Sequence, residues 1–184
     1  MSDSKQEIMD ATYEALCRHG YADLSIQKIA DEFDKGKSLI YYHYENKQDL
    51  MLTFLDFVYE DIEASYASTE EEDPEERMED FLDYTLGLKD ESQWEFLKAY
   101  LELRAHAAHK EAFAEKFREI DEMALENTAE ILEGMGSSQP EEHSELLLSM
   151  IEGAASKKVS VGDREGLHNF KTKLEDEVER MVEN

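Results

Sequence analysis

Apolar residues recur every three or four positions along most of this chain, which is the spacing of amphipathic helices. The first stripe, Ile8–Leu16, ends just before Gly20, and glycine is a common C-terminal signal of helices. Ser25 begins a short second helix, and a third helix is predicted from Lys37 to about His43. Asn46 is a favourable N-cap for a fourth helix. The first fifty residues therefore predict three helices and the start of a fourth.

The rest of the chain continues with the same period. Residues 65–73 are polar and acidic, and they predict a link between helices. Pro74 favours a helix start, because proline fits the first helical position. Further helices are predicted around 94–104, over 110–133, and on either side of a break at Gly162. Since no strand-like alternation occurs, the chain is predicted to be all-α, with about nine helices.

Composition narrows the class of protein. The chain has 184 residues, of which 46 are acidic and 19 are Lys or Arg, for a net charge of -27. Hydrophobic residues make up 41% of the chain, which excludes a disordered acidic tail. The acid is spread over polar helix faces, which favours a solvated surface adapted to high salt. The alternative interpretation is a nucleic-acid mimic or a binder of basic partners.

Other features concern redox state, membranes and location. A single cysteine excludes an intrachain disulfide and a zinc-finger site. No apolar run approaches the ~18 residues of a membrane span, so no membrane association is expected. Residues 1–10 are polar and mixed in charge, unlike a signal peptide, and a cytoplasmic location is expected.

Three motifs resemble catalytic or metal-binding sites but lack the features that such sites need. Gly36-Lys37-Ser38 lacks the first glycine of a phosphate-binding loop, because Asp31 occupies that position. His106 and His109 on a polar helix are more typical of solvated side chains than of a metal site. The Glu165…His168 spacing of di-iron bundles occurs once, whereas such sites need two pairs. We expect no enzyme activity, no metal and no cofactor.

The segment from Ser25 to Leu50 carries the most specific signal. Two short helices joined by a tight turn at 34–36 are typical of a helix-turn-helix, whose second helix enters the DNA major groove. Between Lys35 and Lys47 lie three lysines and one acid, a positive island in an acidic protein, which indicates an anion partner. The alternative is a plain three-helix packing unit with a tyrosine-rich face.

Residues 24–30 (LSIQKIA) and 37–50 (KSLIYYHYENKQDL) resemble the DNA-binding domain of TetR-family transcriptional regulators. The resemblance implies that Ser25 and Gln27 approach the DNA backbone and that Tyr41, His43 and Lys47 hold phosphates. It places three further residues over the bases: Lys37, Ser38 and Leu39. Tyr42 belongs to the same DNA-facing set.

Four positions depart from the family pattern, and all lie at the turn and the start of the recognition helix. Asp34 replaces the turn glycine, Gly36 the serine cap, Ser38 a glycine, and Leu39 a threonine. These changes bear on base preference and not on the fold.

The resemblance implies two domains: residues 1–50 bind DNA, and residues 51–184 bind a small molecule and dimerise. The dimer is expected through residues about 140–182, although burial inside one chain would produce the same apolar stripes. A ligand cavity is expected among helices four to seven. Its candidate lining is aromatic, with ordinary core as the alternative for each residue: Phe57, Phe81, Tyr84, Trp94, Tyr100, Phe113 and Phe117. Residues 94–103 are similar to the choline-responsive branch of the family.

Together these features predict a homodimeric, ligand-responsive transcriptional regulator, a repressor that binds a palindromic DNA operator, from a salt-loving organism. An acidic helical adaptor that binds proteins without DNA is the alternative function. A helical-bundle metalloenzyme is the third class considered.

Overall fold

The computed structural model describes residues 3–33, 36–69 and 73–183. These ranges contain nine helices and no strand, as the sequence predicts. The helices are α1 (Asp3–His19), α2 (Ile26–Asp31), α3 (Lys37–His43), α4 (Lys47–Ser68), α5 (Pro74–Thr85), α6 (Glu91–Ala107), α7 (Glu111–Gly134), α8 (Pro140–Val159) and α9 (Arg164–Glu183).

Local hydrogen bonds explain why the first helices begin where they do. The Ser25 hydroxyl accepts from the backbone N–H of Lys28 at 3.2 Å, which caps α2. Asn46 Oδ1 accepts from the N–H of Asp49 at 3.0 Å and caps α4. The Asp49 carboxylate returns to the N–H of Glu45 at 3.0 Å, one residue before the usual capping-box partner. Both predicted N-caps are therefore confirmed.

The predicted link at 65–73 is wrong in its first part, because α4 continues through Ser68. Tyr66 packs against the second core, and its ring lies 6.5 Å from that of Phe81. This packing holds the last turn of α4 in place although Tyr66 is its only large apolar side chain. Glu70–Glu72 of the predicted link, and Asp34 and Lys35 of the predicted turn, lie outside the described residues.

The described residues form two hydrophobic cores. The first joins α1–α4 to α6 and α7, through residues such as Leu103, Phe113 and Phe117. The second core is shared by helices α5, α6, α7, α8 and α9, and Trp94 and Leu132 are among its members. Because α4 passes unbroken through residue 50, the DNA-binding unit predicted at 1–50 shares its core with the helices that follow.

The apolar stripes of the last two helices face the chain's own core. Leu147 and Ile151 on α8 are 0% and 4% exposed, and Leu174 and Val178 on α9 are 0% and 2% exposed. The alternative left open by the sequence, burial inside one chain, therefore accounts for these stripes. Any contact that α8 and α9 make with a second copy has to use their other side chains.

Candidate DNA-binding surface and effector cavity

Helices α2 and α3 pack as a helix-turn-helix unit. Ile26, Ile29 and Ile40 are buried between them and α1, while Tyr44 closes the unit at 4% exposure. The opposite side of α3 faces solvent. Tyr42 is 81% exposed, which is unusual for a large aromatic side chain and suits a surface that contacts another molecule.

The structure brings most of the predicted DNA-facing residues to this surface. Ser38, Tyr41 and Tyr42 are exposed, and the Tyr42 ring meets that of His43 edge-on at 5.0 Å. The Lys37 ammonium lies 5.5 Å from the centre of the Tyr41 ring.

Three predicted residues have structural contacts of their own. Ser25 caps α2, and Leu39 packs partly against the first core. The Gln27 amide donates to Asp31 at 2.8 Å, so its Nε2 is engaged in an exposed contact within α2. Because of this packing, only part of the Leu39 side chain is accessible to a partner.

Lys47 is more ordered than its place at a helix N-terminus suggests. Its ammonium donates to the carbonyl oxygen of Tyr21 at 2.8 Å and lies 4.2 Å from the centre of the Tyr21 ring. Burial lowers the pKa of Lys47, and the nearby Asp23 and Glu102 oppose that shift. Since an ammonium has three donors, two remain for a phosphate.

The turn between α1 and α2 is fastened to α6. Glu102 accepts a hydrogen bond from the backbone N–H of Ala22 at 3.0 Å. Gly20 has φ +69°, and a Cβ there would lie 3.0 Å from the Glu102 carboxylate. The Tyr21 and His106 rings lie 5.2 Å apart. Sequence reasoning missed this contact, which joins residues about eighty positions apart and leaves no periodic signal.

A cavity of about 840 Å³ lies between α1 and α4–α8. Its described lining carries five carboxylates and one guanidinium, together with four tyrosines. The carboxylates are Asp61, Asp90, Asp121, Glu145 and Glu152; the guanidinium is Arg104; the tyrosines are Tyr13, Tyr66, Tyr84 and Tyr100. The wall is therefore acidic and aromatic.

Arg104 ties three helices together at one side of this cavity. Its guanidinium makes two hydrogen bonds to Asp121, at 2.9 and 2.8 Å, and reaches Glu152 at 2.7 Å. Burial acts to lower the pKa of Arg104, but the bond to Asp121 and the surrounding charges raise it overall. The guanidinium is thus neutralised by its own partners, and the cavity keeps its negative character.

The cavity tyrosines are neutral at physiological pH. Burial raises the pKa of Tyr84 to about 12, and the charge of Asp61 adds to that shift. Burial also raises the pKa of Tyr66 and Tyr100. These side chains offer un-ionised hydroxyls and aromatic faces to a ligand.

Of the seven aromatic residues predicted to line a pocket, Tyr84 and Tyr100 do so. Phe81 borders a smaller neighbouring pocket. The other four require correction, because Trp94, Phe113 and Phe117 are buried core residues and Phe57 packs against the first core. An apolar helical stripe does not distinguish a core residue from a residue of a cavity wall. The charged lining residues lie on polar helix faces, which the sequence pattern assigns to solvent.

Among the described residues, no three His, Cys, Asp or Glu side chains are grouped so as to hold a metal ion. Within the same ranges, no helix is long and apolar enough to cross a membrane.

Comparison with known proteins identifies both halves of this architecture. Residues 8–53 match the family model of bacterial regulatory proteins of the tetR family. Residues 74–183 match the C-terminal domain of BetI-type transcriptional repressors. Residues over a 56-residue stretch are 32% identical to an uncharacterized HTH-type transcriptional regulator from Lactococcus lactis subsp. lactis, covering 30% of this chain and 29% of that protein.

Two solved structures extend the comparison to the whole chain. A TetR transcription regulator from Haloarcula marismortui is 35% identical, with a TM-score of 0.85 over 99% of this chain and 100% of that one. A transcriptional regulator from Saccharomonospora viridis, solved in complex with choline, has the same fold at 18% identity, with a TM-score of 0.79 over 97% of each chain. The chain therefore belongs to the TetR family of DNA-binding transcriptional regulators and has a BetI-type C-terminal domain.

Proposed function

We propose that this regulator is a repressor that binds a palindromic operator as a homodimer and releases it when a small organic cation fills the cavity. The observation that carries the proposal is the lining of the cavity, which holds five carboxylates, four tyrosines and a single guanidinium that is already paired with two of the carboxylates.

Two physical effects favour a cation in this cavity. Coulomb attraction from the carboxylates grows as a ligand leaves water for a partly enclosed site. Tyrosine faces attract cations through the ring quadrupole, and alkylated ammonium groups suit such sites because they lose little hydration. The choline-bound regulator from Saccharomonospora viridis shares this fold, which supports choline or a related quaternary ammonium as the effector class.

A dimer follows from the way such units read DNA. The described residues contain one helix-turn-helix per chain, and a two-fold operator presents half-sites one helical turn apart, about 34–36 Å, or a multiple of that. On α8, Leu146 is 49% exposed and Gly153 lies on the same side with open space around it. We assign the dimer contact to this side of α8, within the predicted range 140–182.

The proposal is tested by titrating the full-length protein with choline and with 3,3-dimethylbutan-1-ol, its uncharged carbon analogue. Choline should bind and the alcohol should bind at least about tenfold more weakly, because the alcohol is attracted neither by the carboxylates nor through cation–π contact. Asp61→Asn should weaken choline binding. Asp176→Asn, a matched change at an exposed position on α9, should not.

The second arm measures release of DNA. Fluorescence anisotropy with the gene's own upstream region should detect a complex that choline dissociates. Equal affinity for choline and its uncharged analogue would exclude the proposal that the effector is a cation. Failure to bind any upstream DNA, at low as well as moderate salt, would favour the acidic adaptor function instead.

A further inference from the structure

A small annex of about 50 Å³ adjoins the main cavity. Helices α4, α5 and α7 and the loop before α6 form its wall. Ile62, Tyr66 and Tyr84 line both spaces, so the annex and the cavity share one wall. Arg77 and Asn127 line the annex but not the main cavity.

Two buried hydrogen-bond donors in this annex have no partner among the described residues. Arg77 Nη2 donates to Asn127 Oδ1 at 3.2 Å. Since a guanidinium only donates, this bond fixes Oδ1 as the acceptor and leaves Nδ2 as a donor. Asn127 Nδ2 and Arg77 Nε are both buried and unpaired.

Both side chains are more than nine-tenths buried, at 7% exposure for the Arg77 side chain and 7% for the Asn127 residue. Arg77 Nη1 does reach Glu130 at 3.3 Å, but that carboxylate is 57% exposed and is not part of the annex wall. A buried donor without a partner is energetically costly, so a site with two of them favours a ligand that brings acceptors.

The annex lacks the excess of negative charge that marks the main cavity. Its described lining holds Arg77 and Lys89 against one acid, Asp80, which lies 3.3 Å from the Lys89 ammonium. The main cavity holds five carboxylates against one guanidinium. Glu130 pairs with Arg77 from outside the annex wall, so the two cations of the annex are balanced by two acids and a ligand carboxylate meets less repulsion there than in the main cavity.

We propose that the effector is a zwitterion, a quaternary ammonium that also carries a carboxylate. The ammonium lies against the tyrosines and carboxylates of the main cavity, and the carboxylate enters the annex. There its oxygens accept hydrogen bonds from Arg77 Nε and Asn127 Nδ2. This inference rests on the proposed function and specifies the ligand of the same site.

Isothermal titration of the full-length protein tests the inference with matched probes. Tetramethylammonium supplies the cation alone, whereas glycine betaine and 4-(trimethylammonio)butanoate add a carboxylate at two different distances. At least one zwitterion should bind about tenfold or more tightly than tetramethylammonium, the effect of about one hydrogen bond to a charged group.

Asn127→Asp is the informative variant, because it keeps an acceptor for Arg77 but removes the Nδ2 donor and places a negative charge in the annex. It should abolish the preference for the zwitterion and leave the affinity for tetramethylammonium unchanged or higher. Asn169→Asp, the same change at an exposed position on α9, should preserve the wild-type preference. Circular dichroism establishes that each variant is folded.

The outcomes separate the two proposals. If tetramethylammonium and both zwitterions fail to bind, the cationic effector itself is wrong. If tetramethylammonium binds and neither zwitterion binds more tightly, or if folded Asn127→Asp keeps the preference, the annex holds water only and the inference is overturned. Should Asn127→Asp not fold, a crystal structure of the wild-type complex decides, by whether the carboxylate lies within hydrogen-bond distance of Arg77 Nε and Asn127 Nδ2.

Discussion

At the scale of single residues, Lys47 is held by contacts within the chain and is also a predicted phosphate contact. One of its three donors is bound to the Tyr21 carbonyl, and its ammonium lies on the Tyr21 ring. The side chain therefore has little rotamer freedom left to lose when it meets a phosphate. A lysine without such contacts would lose its rotamer freedom when it binds a phosphate.

Lys47 should contribute to the affinity for any DNA, whereas Lys37 should contribute to the preference for the operator. Lys47→Ala should weaken operator and random DNA alike and reduce the salt slope by about one per site, because phosphate contacts carry affinity without sequence information. Lys37→Ala should narrow the difference between the two DNAs by ~1–3 kcal/mol if Lys37 contacts guanine. Binding titrations on both DNAs at several KCl concentrations measure this. Unchanged affinity in Lys47→Ala, or equal weakening in Lys37→Ala, would contradict the assigned roles.

Two half-buried tyrosines of the cavity wall predict how stability responds to alkaline pH. Burial raises the pKa of Tyr66 and Tyr100 above the ordinary value of 10.0, so the unfolded chain releases these protons first. Their contribution to the free energy of unfolding should be complete below about pH 10 and should decline as the pH rises beyond it. Urea denaturation between about pH 8 and about pH 12 measures the decline. It should be shallower in the Tyr66→Phe/Tyr100→Phe double variant, and an unchanged slope would refute the assignment.

At the scale of elements, α6 is the helix that touches both functional regions. Tyr100, Leu101 and Arg104 border the cavity. Glu102 and His106, on another face of the same helix, contact the turn between α1 and α2. The same turn supplies the carbonyl that binds Lys47. A displacement of α6 by a ligand would therefore reach Lys47, a predicted phosphate contact, through two hydrogen bonds.

Glu102→Ala should separate effector binding from DNA release. The variant loses the bond to the Ala22 N–H, whereas the cavity wall is unchanged, so choline should bind as in the wild type. Choline should then dissociate the operator complex several-fold less effectively, since typical allosteric coupling is only ~1–3 kcal/mol. Anisotropy titrations with and without choline measure the coupling. Glu126→Ala, an exposed change on α7, is the control; equal coupling in both variants would exclude this route.

Elements were predictable from the sequence because their signals are local. Ser25, Asn46 and Pro74 each act within a few residues of their own helix, and all three start helices as expected. The approximate place of the cavity was predictable, but its lining was not. Tyr100 and Phe117 both lie on apolar helix stripes, and the sequence pattern does not tell a cavity residue from a core residue. Which of them faces open space depends on how three helices meet. The Glu102 contact and the unpaired donor of Asn127 are likewise products of tertiary packing.

At the scale of the whole molecule, charge dominates the response to salt. Added salt weakens individual surface ion pairs, but each contributes only about 0–1 kcal/mol. With 46 acidic residues against 19 basic ones, repulsion between like charges is the larger effect. Screening shortens from ~10 Å at 0.1 M to ~3 Å at 1 M salt, so it relieves that repulsion.

Stability should therefore rise with salt. Thermal melts in about 0.1 M and about 2 M KCl should give a higher midpoint in the stronger salt, because the compact state carries the closer charges. The same melts in the presence of an uncharged osmolyte separate charge screening from general exclusion effects. An equal or lower midpoint in high KCl would remove the argument that the acidic surface is an adaptation to salt.

Assembly is the remaining property of the whole molecule, and the burial of α9 changes how it should be tested. Leu174 and Val178 are buried within one chain, so charged substitutions there should unfold the protein and report nothing about dimers. Gly153 offers a cleaner test, because it is exposed in the middle of α8 and a Cβ there would lie within 4 Å of no atom beyond the neighbouring backbone of its own helix.

Gly153→Gln should leave the folded chain intact and even favour its helix by up to about 1 kcal/mol, since glycine is a poor helix former. A second copy packed against this side of α8 would meet the new side chain, so the variant should be a monomer by light scattering while its helix content is unchanged. It should bind random DNA nearly as well as the wild type but lose most of its operator affinity, because only a dimer spans both half-sites. Ser160→Gln, an exposed change beyond the end of the same helix, is the control. If folded Gly153→Gln remains dimeric, the interface lies on another part of the molecule.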